Sequence, residues 1–301
     1  MKQRIDKKLI EKGIKIGESK IYHEDKVWSR YSNDKVDIGE GLAKVIRTLS
    51  KAAPLNRPLR ALSIGSSAEP QFRILETAFR GGLYLLDLEE VALDIIKERI
   101  ERQFTDHVTT IRSDYTKALL NPKKAKLFMK MRFAKERVNL ITLHHSLYYC
   151  EEVVWRMIFD NLYKKVLAPQ GAIHAVLMAA ESKDQSTTTW LYNHFVGKYF
   201  GCINDQNLLL FKKELMQDPL YGRAQILSRT NRVKFFVDDF EKFMAVIWMI
   251  LLYPDVHQYS LRQREQITEF IYKKFWVRKR PLIQAQDHIA IYRGIPFKGL
   301  I

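Results

Sequence analysis

Between residues 59 and 180 the chain repeats one pattern: a short apolar run, a turn, then an amphipathic stretch of helical period. The runs are LRALSIG (59–65), GLYLLDL (82–88), VTTIRSD (108–114), VNLITLHH (138–145) and AIHAVLMA (172–179). Helical patterns fill the gaps at about 69–80, 89–103, 115–133 and 151–166. Strands joined by helices of this length form a parallel sheet with right-handed crossovers, because only a helix-sized connection returns the chain to the same end. Runs one, four and five are nearly continuous in apolar residues, as expected of strands covered on both faces. The expectation is an α/β, doubly wound sheet.

The flanking regions extend this plan. Residues 1–56 read as an N-terminal helical cap, with Ile5, Leu9, Ile10 and Ile14 at near-helical spacing, aromatic Tyr22, His23, Trp28 and Tyr31, and a helix from about Gly39 to Ala52. Residues 57–301 read as the sheet domain, with helical insertions at about 186–222 and 238–276. VKFFV (233–237) and HIAIYRG (288–294) supply strands six and seven, for a mostly parallel seven-stranded sheet. The longest apolar run, Phe243 to Tyr253, is about half the length a bilayer span needs, so a buried helix is expected there. Two cysteines, Cys150 and Cys202, build neither a disulfide framework nor a metal site, and no metal is expected. The opening stretch lacks the apolar region of a signal peptide. Together these point to a reducing, cytoplasmic setting.

Open α/β sheets bind ligands beyond the carboxyl ends of their strands. Here the first strand ends at Gly65 and runs into Ser66, Ser67, Ala68, Glu69 and Pro70. The second ends at Asp87 and Leu88, placing an acid where it accepts hydrogen bonds from ribose hydroxyls. The third ends at Asp114 and Tyr115, placing a second acid within reach of an adenine amine. The first turn decides between cofactors. A dinucleotide pyrophosphate needs G-x-G-x-x-G and a helix N-terminus free of negative charge. This chain has Gly65 alone, with Glu69 four residues on. A carboxylate there repels a pyrophosphate but tolerates the ammonium and sulfonium of S-adenosylmethionine.

The order of glycine turn, acid after strand two, acid after strand three and polar end of strand four resembles class I S-adenosylmethionine-dependent methyltransferases over about residues 59–180. SIGSSAEP matches the family's first motif, and ITLHHSLYY matches its strand-four motif. SIGSSAEPQFRIL and the LYY after strand four also resemble, less specifically, histamine N-methyltransferase and related small-molecule enzymes. The resemblance implies a Rossmann-like fold. It implies a cofactor site at Gly65, Ser66, Ser67, Glu69, Asp87, Leu88, Asp114, Tyr115 and His144, with S-adenosylhomocysteine as product. Serines stand where the family places further glycines.

Methyl transfer is an in-line displacement, in which positioning contributes much and proton removal only sometimes. Candidate acceptor-side residues follow strand four: His144, His145 and Tyr148. The chain lacks the Asn/Asp-Pro-Pro-aromatic tetrad of base-amino methylation and the Pro-Cys pair of cytosine C5 methylation. A small-molecule acceptor is therefore expected. A net charge of +16, with basic clusters at 2–20, 123–137 and 262–280, keeps RNA or protein open as an acceptor. A non-catalytic module retaining the fold is the remaining alternative. Oligomeric state is not legible.

Overall fold

The computed structural model describes residues 6–18, 25–53, 57–65, 71–133, 136–252 and 258–295. Seven strands form one sheet: β1 (Arg60–Ile64), β2 (Gly82–Asp87), β3 (Val108–Arg112), β4 (Val138–His144), β5 (Leu167–Met178), β6 (Gln225–Phe235) and β7 (Leu282–Arg293). Their order is β3-β2-β1-β4-β5-β7-β6. Pairings β1–β2, β2–β3, β1–β4 and β4–β5 are all parallel. The order reverses between β1 and β4, which is the switch point at which such sheets open a ligand crevice.

Helices follow the strands: α1 (Lys7–Ile16), α2 (Asp25–Tyr31), α3 (Asp34–Ala52), α4 (Gln71–Ala78), α5 (Glu90–Gln103), α6 (Tyr115–Leu119), α7 (Pro122–Arg132) and α8 (Glu152–Asn161), then α9 (Thr188–Phe200), α10 (Leu208–Gln217), α11 (Phe240–Leu252) and α12 (Leu261–Ile271). The basic stretch expected as one helix over 115–133 is two. Pro122 cannot donate into a continuing helix, so α6 stops and α7 restarts with Pro122 in its first turn and Asn121 accepting from Lys123 N at 2.8 Å. Strands six and seven begin earlier than the sequence indicated, at Gln225 and Leu282. Most of Gln225–Phe235 is exposed and polar, so its first half carries no apolar run. Strand five also starts earlier, at Leu167; between its pairings with Val138 and Leu140, Pro169, Gln170 and Gly171 bulge out.

The chain divides into two compact units. One comprises residues 35–178, 206–230 and 287–301. Strand alternation sends Leu62, Ile64, Ile141, Leu143, Ile173 and Ala175 to one face, against α6, α7, α8 and α10. It sends Ala61, Leu83, Leu85, Leu140 and Ala172 to the other, against Leu42, Val45 and Leu49 of α3 and Phe72 and Leu75 of α4. On this second face polarity changes along the strands. The residues next in line toward the carboxyl ends are Ser63, Thr142, His144 and His174, all buried.

The other unit comprises residues 1–34, 179–205 and 231–286. Its core joins Phe195, Phe243, Ile247, Trp248, Ile267 and Phe275. The 13 residues of α11 span about 20 Å, well short of a roughly 30 Å hydrocarbon layer, and none of the described helices is long and apolar enough to cross a membrane. Helix α1 passes so close to this core that a Cβ on Gly13 would lie 2.6 Å from Thr268 Cγ2. Fully buried Trp248 donates from Nε1 to the Gly13 carbonyl at 2.8 Å. Trp248→Phe leaves that carbonyl without its donor and should cost about 2 kcal/mol, read as a lowered urea midpoint. An unchanged midpoint would show that the bond contributes nothing.

Candidate functional site

The register brings the four expected strand ends together. Ile64 is level with Leu86 of β2 and Leu143 of β4, while Asp87 is level with Arg112 of β3. Gly65, Asp87, Asp114 and His144–Ser146 therefore line one edge of the sheet, spread over three strand spacings, or about 14 Å.

Gly65 closes β1 with φ +71°, its N–H donating to the Leu86 carbonyl at 2.8 Å. A Cβ there would sit 2.6 Å from Ser146 Cβ. Both the left-handed backbone and the contact require glycine. Ser66, Ser67 and Glu69 lie outside the described residues, as do Tyr22 and His23.

Both acids also serve the backbone. Asp87 Oδ1, half-buried, accepts from Glu89 N at 3.0 Å, and neighbouring Leu88 is 60% exposed. Asp114 Oδ1 caps α6, accepting from Thr116 N at 2.9 Å and Thr116 Oγ1 at 2.5 Å. Partial burial pushes the Asp114 carboxyl up, but the bonds from Thr116 and Lys117 outweigh it and hold it below the usual range. A cavity of about 340 Å³ opens beside it, lined among others by Ser113, Lys117, Phe128 and Met131. Tyr115 is buried, and its hydroxyl donates to the Ser146 carbonyl at 2.8 Å, tying the end of β3 to that of β4.

The β4 terminus departs most from regular geometry. His145 has φ +53°, a conformation that costs a branched or bulky residue about 1–2 kcal/mol and is worth explaining where it persists. Its ring stacks on Tyr148 at 5.8 Å, with Nδ1 3.3 Å from the tyrosine hydroxyl. That hydroxyl accepts from Met178 N at 2.7 Å. His144 faces the other way, into the core, 1% exposed. Its Nε2 lies 3.0 Å from His174 Nδ1. His144 Nδ1, Ser146 Oγ and Gln71 Oε1 are buried and have no hydrogen-bond partner among the described residues.

Beyond His144 runs a buried polar chain that no motif announced. His174 Nε2 lies 3.3 Å from His288 Nδ1, and His288 Nε2 lies 2.7 Å from Asp37 Oδ2. Arg229 NH2 bonds Asp37 Oδ1 at 3.1 Å and the Asp37 carbonyl at 2.8 Å. The available signal was a lone histidine in each of two otherwise apolar strands, AIHAVLMA and HIAIYRG. These groups form a line; among the described residues no three such side chains converge as a metal site would require.

No family model matches the chain, and no curated protein matches it. Among solved structures, the YcgJ protein of Bacillus subtilis superposes with a TM-score of 0.51 at 11% identity, over 85% of this chain and 98% of its own. A Bacillus halodurans protein described as a methyltransferase gives 0.49 at 15% identity, over 83% of this chain and 99% of its own. A Galdieria sulphuraria protein described as a sarcosine dimethylglycine methyltransferase gives 0.48 at 13%, over 86% of each chain. The chain has a Rossmann-like fold, a mostly parallel seven-stranded sheet with helices on both faces.

Two tests of this geometry follow. Gly65→Ala should lower stability by about 2–4 kcal/mol, from the positive φ and the clash together. Ser146→Gly in the same chain should restore the steric part, so a double-mutant cycle in urea that adds independently would refute the contact. Burial, aided by the neighbouring imidazoles, pushes His144 and His174 well below the ordinary value of 6.5. The unfolded chain then binds more protons below pH 6.5. The stability these groups contribute is complete above that value and is lost as pH falls toward their folded values, by about 1.4 kcal/mol per histidine per pH unit. Urea midpoints that do not move between pH 7.5 and 5.5 would contradict this.

Proposed function

We propose that the protein is an S-adenosylmethionine-dependent methyltransferase acting on a small molecule. The observation that carries this reading is the alignment, along one edge at the switch point, of Gly65, Asp87, Asp114 and the β4 terminus. When bound, the cofactor supplies a methyl group on a sulfonium sulfur.

The first turn suits that ligand better than a dinucleotide: Gly65 stands without the further glycines a pyrophosphate needs, and Glu69 four residues on would repel it. The carboxylates at the strand ends accept from hydroxyls and amines. Asp87 would hold the ribose hydroxyls, and Asp114, beside the apolar wall of Phe128 and Met131, the adenine amine. Gly65 lets the backbone approach the ligand. The orphaned Ser146 Oγ and Gln71 Oε1 can accept from an ammonium. Ser66, Ser67, Glu69, Leu88 and Tyr115 complete the proposed cofactor set. Tyr115 would act through its bond to the Ser146 carbonyl, which holds the β3 and β4 ends together.

On the acceptor side, His144, His145 and Tyr148 are the groups able to orient or deprotonate a nucleophile. The left-handed backbone of His145 and its stacking on Tyr148 fix both rings at the end of β4. The small-molecule reading rests on the missing nucleic-acid motifs; a cytoplasmic setting is the reading that the two cysteines, Cys150 and Cys202, support. A basic exterior, including the exposed Lys123, Lys124, Lys126 and Lys130 of α7, supports an RNA acceptor as the second reading.

Calorimetric titration with S-adenosylhomocysteine, with a nicotinamide dinucleotide in parallel, should show one-to-one binding of the first alone. Binding of neither would leave a non-catalytic module. Asp87→Ala should weaken that binding by about 1–3 kcal/mol, roughly 5- to 150-fold, with the far-UV spectrum unchanged. Undiminished affinity would remove Asp87 from the ribose role.

A further inference from the structure

The buried chain from Arg229 to His144 has a direction that its chemistry dictates. Arg229 only donates, and it holds both the Oδ1 and the carbonyl of Asp37. Asp37 therefore accepts, and the 2.7 Å contact with its Oδ2 makes His288 Nε2 the protonated nitrogen. Burial, acting against the bond to Asp37, lowers the His288 pKa, and burial lowers those of His174 and His144 further. Each ring is neutral near pH 7.5, with one N–H and one lone pair. His288 Nδ1 is then a lone pair, which is also the state favoured by Arg229 NH2 at 3.5 Å from it. His174 must donate to it from Nε2, so His174 Nδ1 is bare. His144 must in turn donate from Nε2 to His174 Nδ1 at 3.0 Å. The last atom of the line, His144 Nδ1, is left as a buried lone pair without a partner among the described residues.

The fold is shaped around this line. Helix α3 crosses it at Gly41, where a Cβ would lie 2.8 Å from Arg229 NH2 and 3.1 Å from His288 Nδ1. Asp37, one turn earlier on α3, is 6% exposed; His288, His174 and His144 are 3%, 2% and 1% exposed. Unpaired, each such group would destabilise an apolar interior. The line satisfies all of them but one.

We propose that Asp37, acting through His288 and His174, fixes the tautomer of His144 and thereby presents its bare Nδ1 as the proton acceptor for a methyl-accepting nucleophile that carries an N–H or O–H. The role of that acceptor rests on the methyltransferase reading; the tautomer assignment does not. The nucleophile's lone pair forms the bond to the methyl carbon, the carbon–sulfur pair stays on sulfur, and the displaced proton goes to His144 Nδ1. His144 Nε2–H, His174 Nε2–H and His288 Nε2–H are already aligned to pass a proton along the line to Asp37. In this arrangement Asp37, His288 and His174 are positioning residues.

The test is a long-range ¹H–¹⁵N spectrum of the full chain with labelled histidine at pH 7.5, its signals assigned by their loss in His144→Gln, His174→Gln and His288→Gln. All three rings should appear neutral and protonated at Nε2. Asp37→Asn should reverse the line. Arg229 retains the amide oxygen, the amide NH2 faces His288 Nε2, and all three rings switch together to the Nδ1–H form. A wild-type His144 that is charged or protonated at Nδ1 overturns the proposal even if the variant does not fold. So does an Asp37→Asn spectrum in which His144 stays protonated at Nε2. S-adenosylhomocysteine added to the same wild-type sample separates the two levels. Binding with the wrong tautomers removes the line's role and leaves the cofactor reading intact. The expected tautomers without binding overturn the proton-acceptor role together with the reading on which it rests.

Discussion

An imidazole inside an apolar sandwich is tolerated only when it is neutral and its polar atoms are paired, because the charged form loses its hydration and an unpaired nitrogen loses a hydrogen bond. Three such rings lie on the face of the sheet beneath α3, and at every nitrogen but His144 Nδ1 they meet this condition by bonding one another in series, with the series anchored on Asp37 and Arg229. Much of the local structure answers to that arrangement. Helix α3 must omit a side chain at Gly41 and place an acid one turn earlier. Strand β4 must be level with β5, so that Thr142 faces His174 and His144 extends just beyond it. Because hydrogen bonds in a series have a sense, a charge at one end determines what the other end offers.

The opposite side of the β4 terminus is governed by backbone sterics. Gly65 and Ser146 approach so closely that neither position has room for growth, and His145 between the strand and Tyr148 holds a left-handed conformation. Tyr115 and Tyr148 then pin the loop from two directions, one through the Ser146 carbonyl and the other through Met178 N. The described groups at this edge are already fixed, so a ligand of the proposed kind would find little ordering entropy left to be lost in them on binding.

The sheet was legible because buried parallel strands must be apolar and the helices between them must be periodic; β1, β4 and β5 announced themselves by both rules, and β2 and β3 by their place between periodic helices. The beginnings of β6 and β7 did not: Gln225–Arg232 is largely solvent-exposed and carries no apolar alternation, and the start of β7, though buried, is interrupted by Gln284, Gln286 and Asp287. Gly65, Asp87 and Asp114 were legible as strand-terminal residues, though the bond that Asp87 accepts from Glu89 N and the capping bonds that Asp114 accepts from Thr116 and Lys117 were visible only in three dimensions. Asp37, His174, Arg229 and His288 were missed for a physical reason. Their significance lies in contacts across as many as 251 residues, and no local spacing encodes such a contact.

The second unit is assembled from three separated stretches of chain, and this bears on how the protein is made. Helix α1 seats its Gly13 beneath Trp248, a partner 235 residues later. At a synthesis rate of roughly 5–20 residues per second, α1 waits on the order of 10–50 s before that partner exists. Its apolar stripe, Leu9, Ile10 and Ile14, has to remain in water for that interval, and the helix is correspondingly dense in lysine: Lys7, Lys8, Lys12 and Lys15. Charge on this helix therefore has a use before the native state forms, as a solubilising coat for a segment whose docking surface is the last part of the unit to be translated.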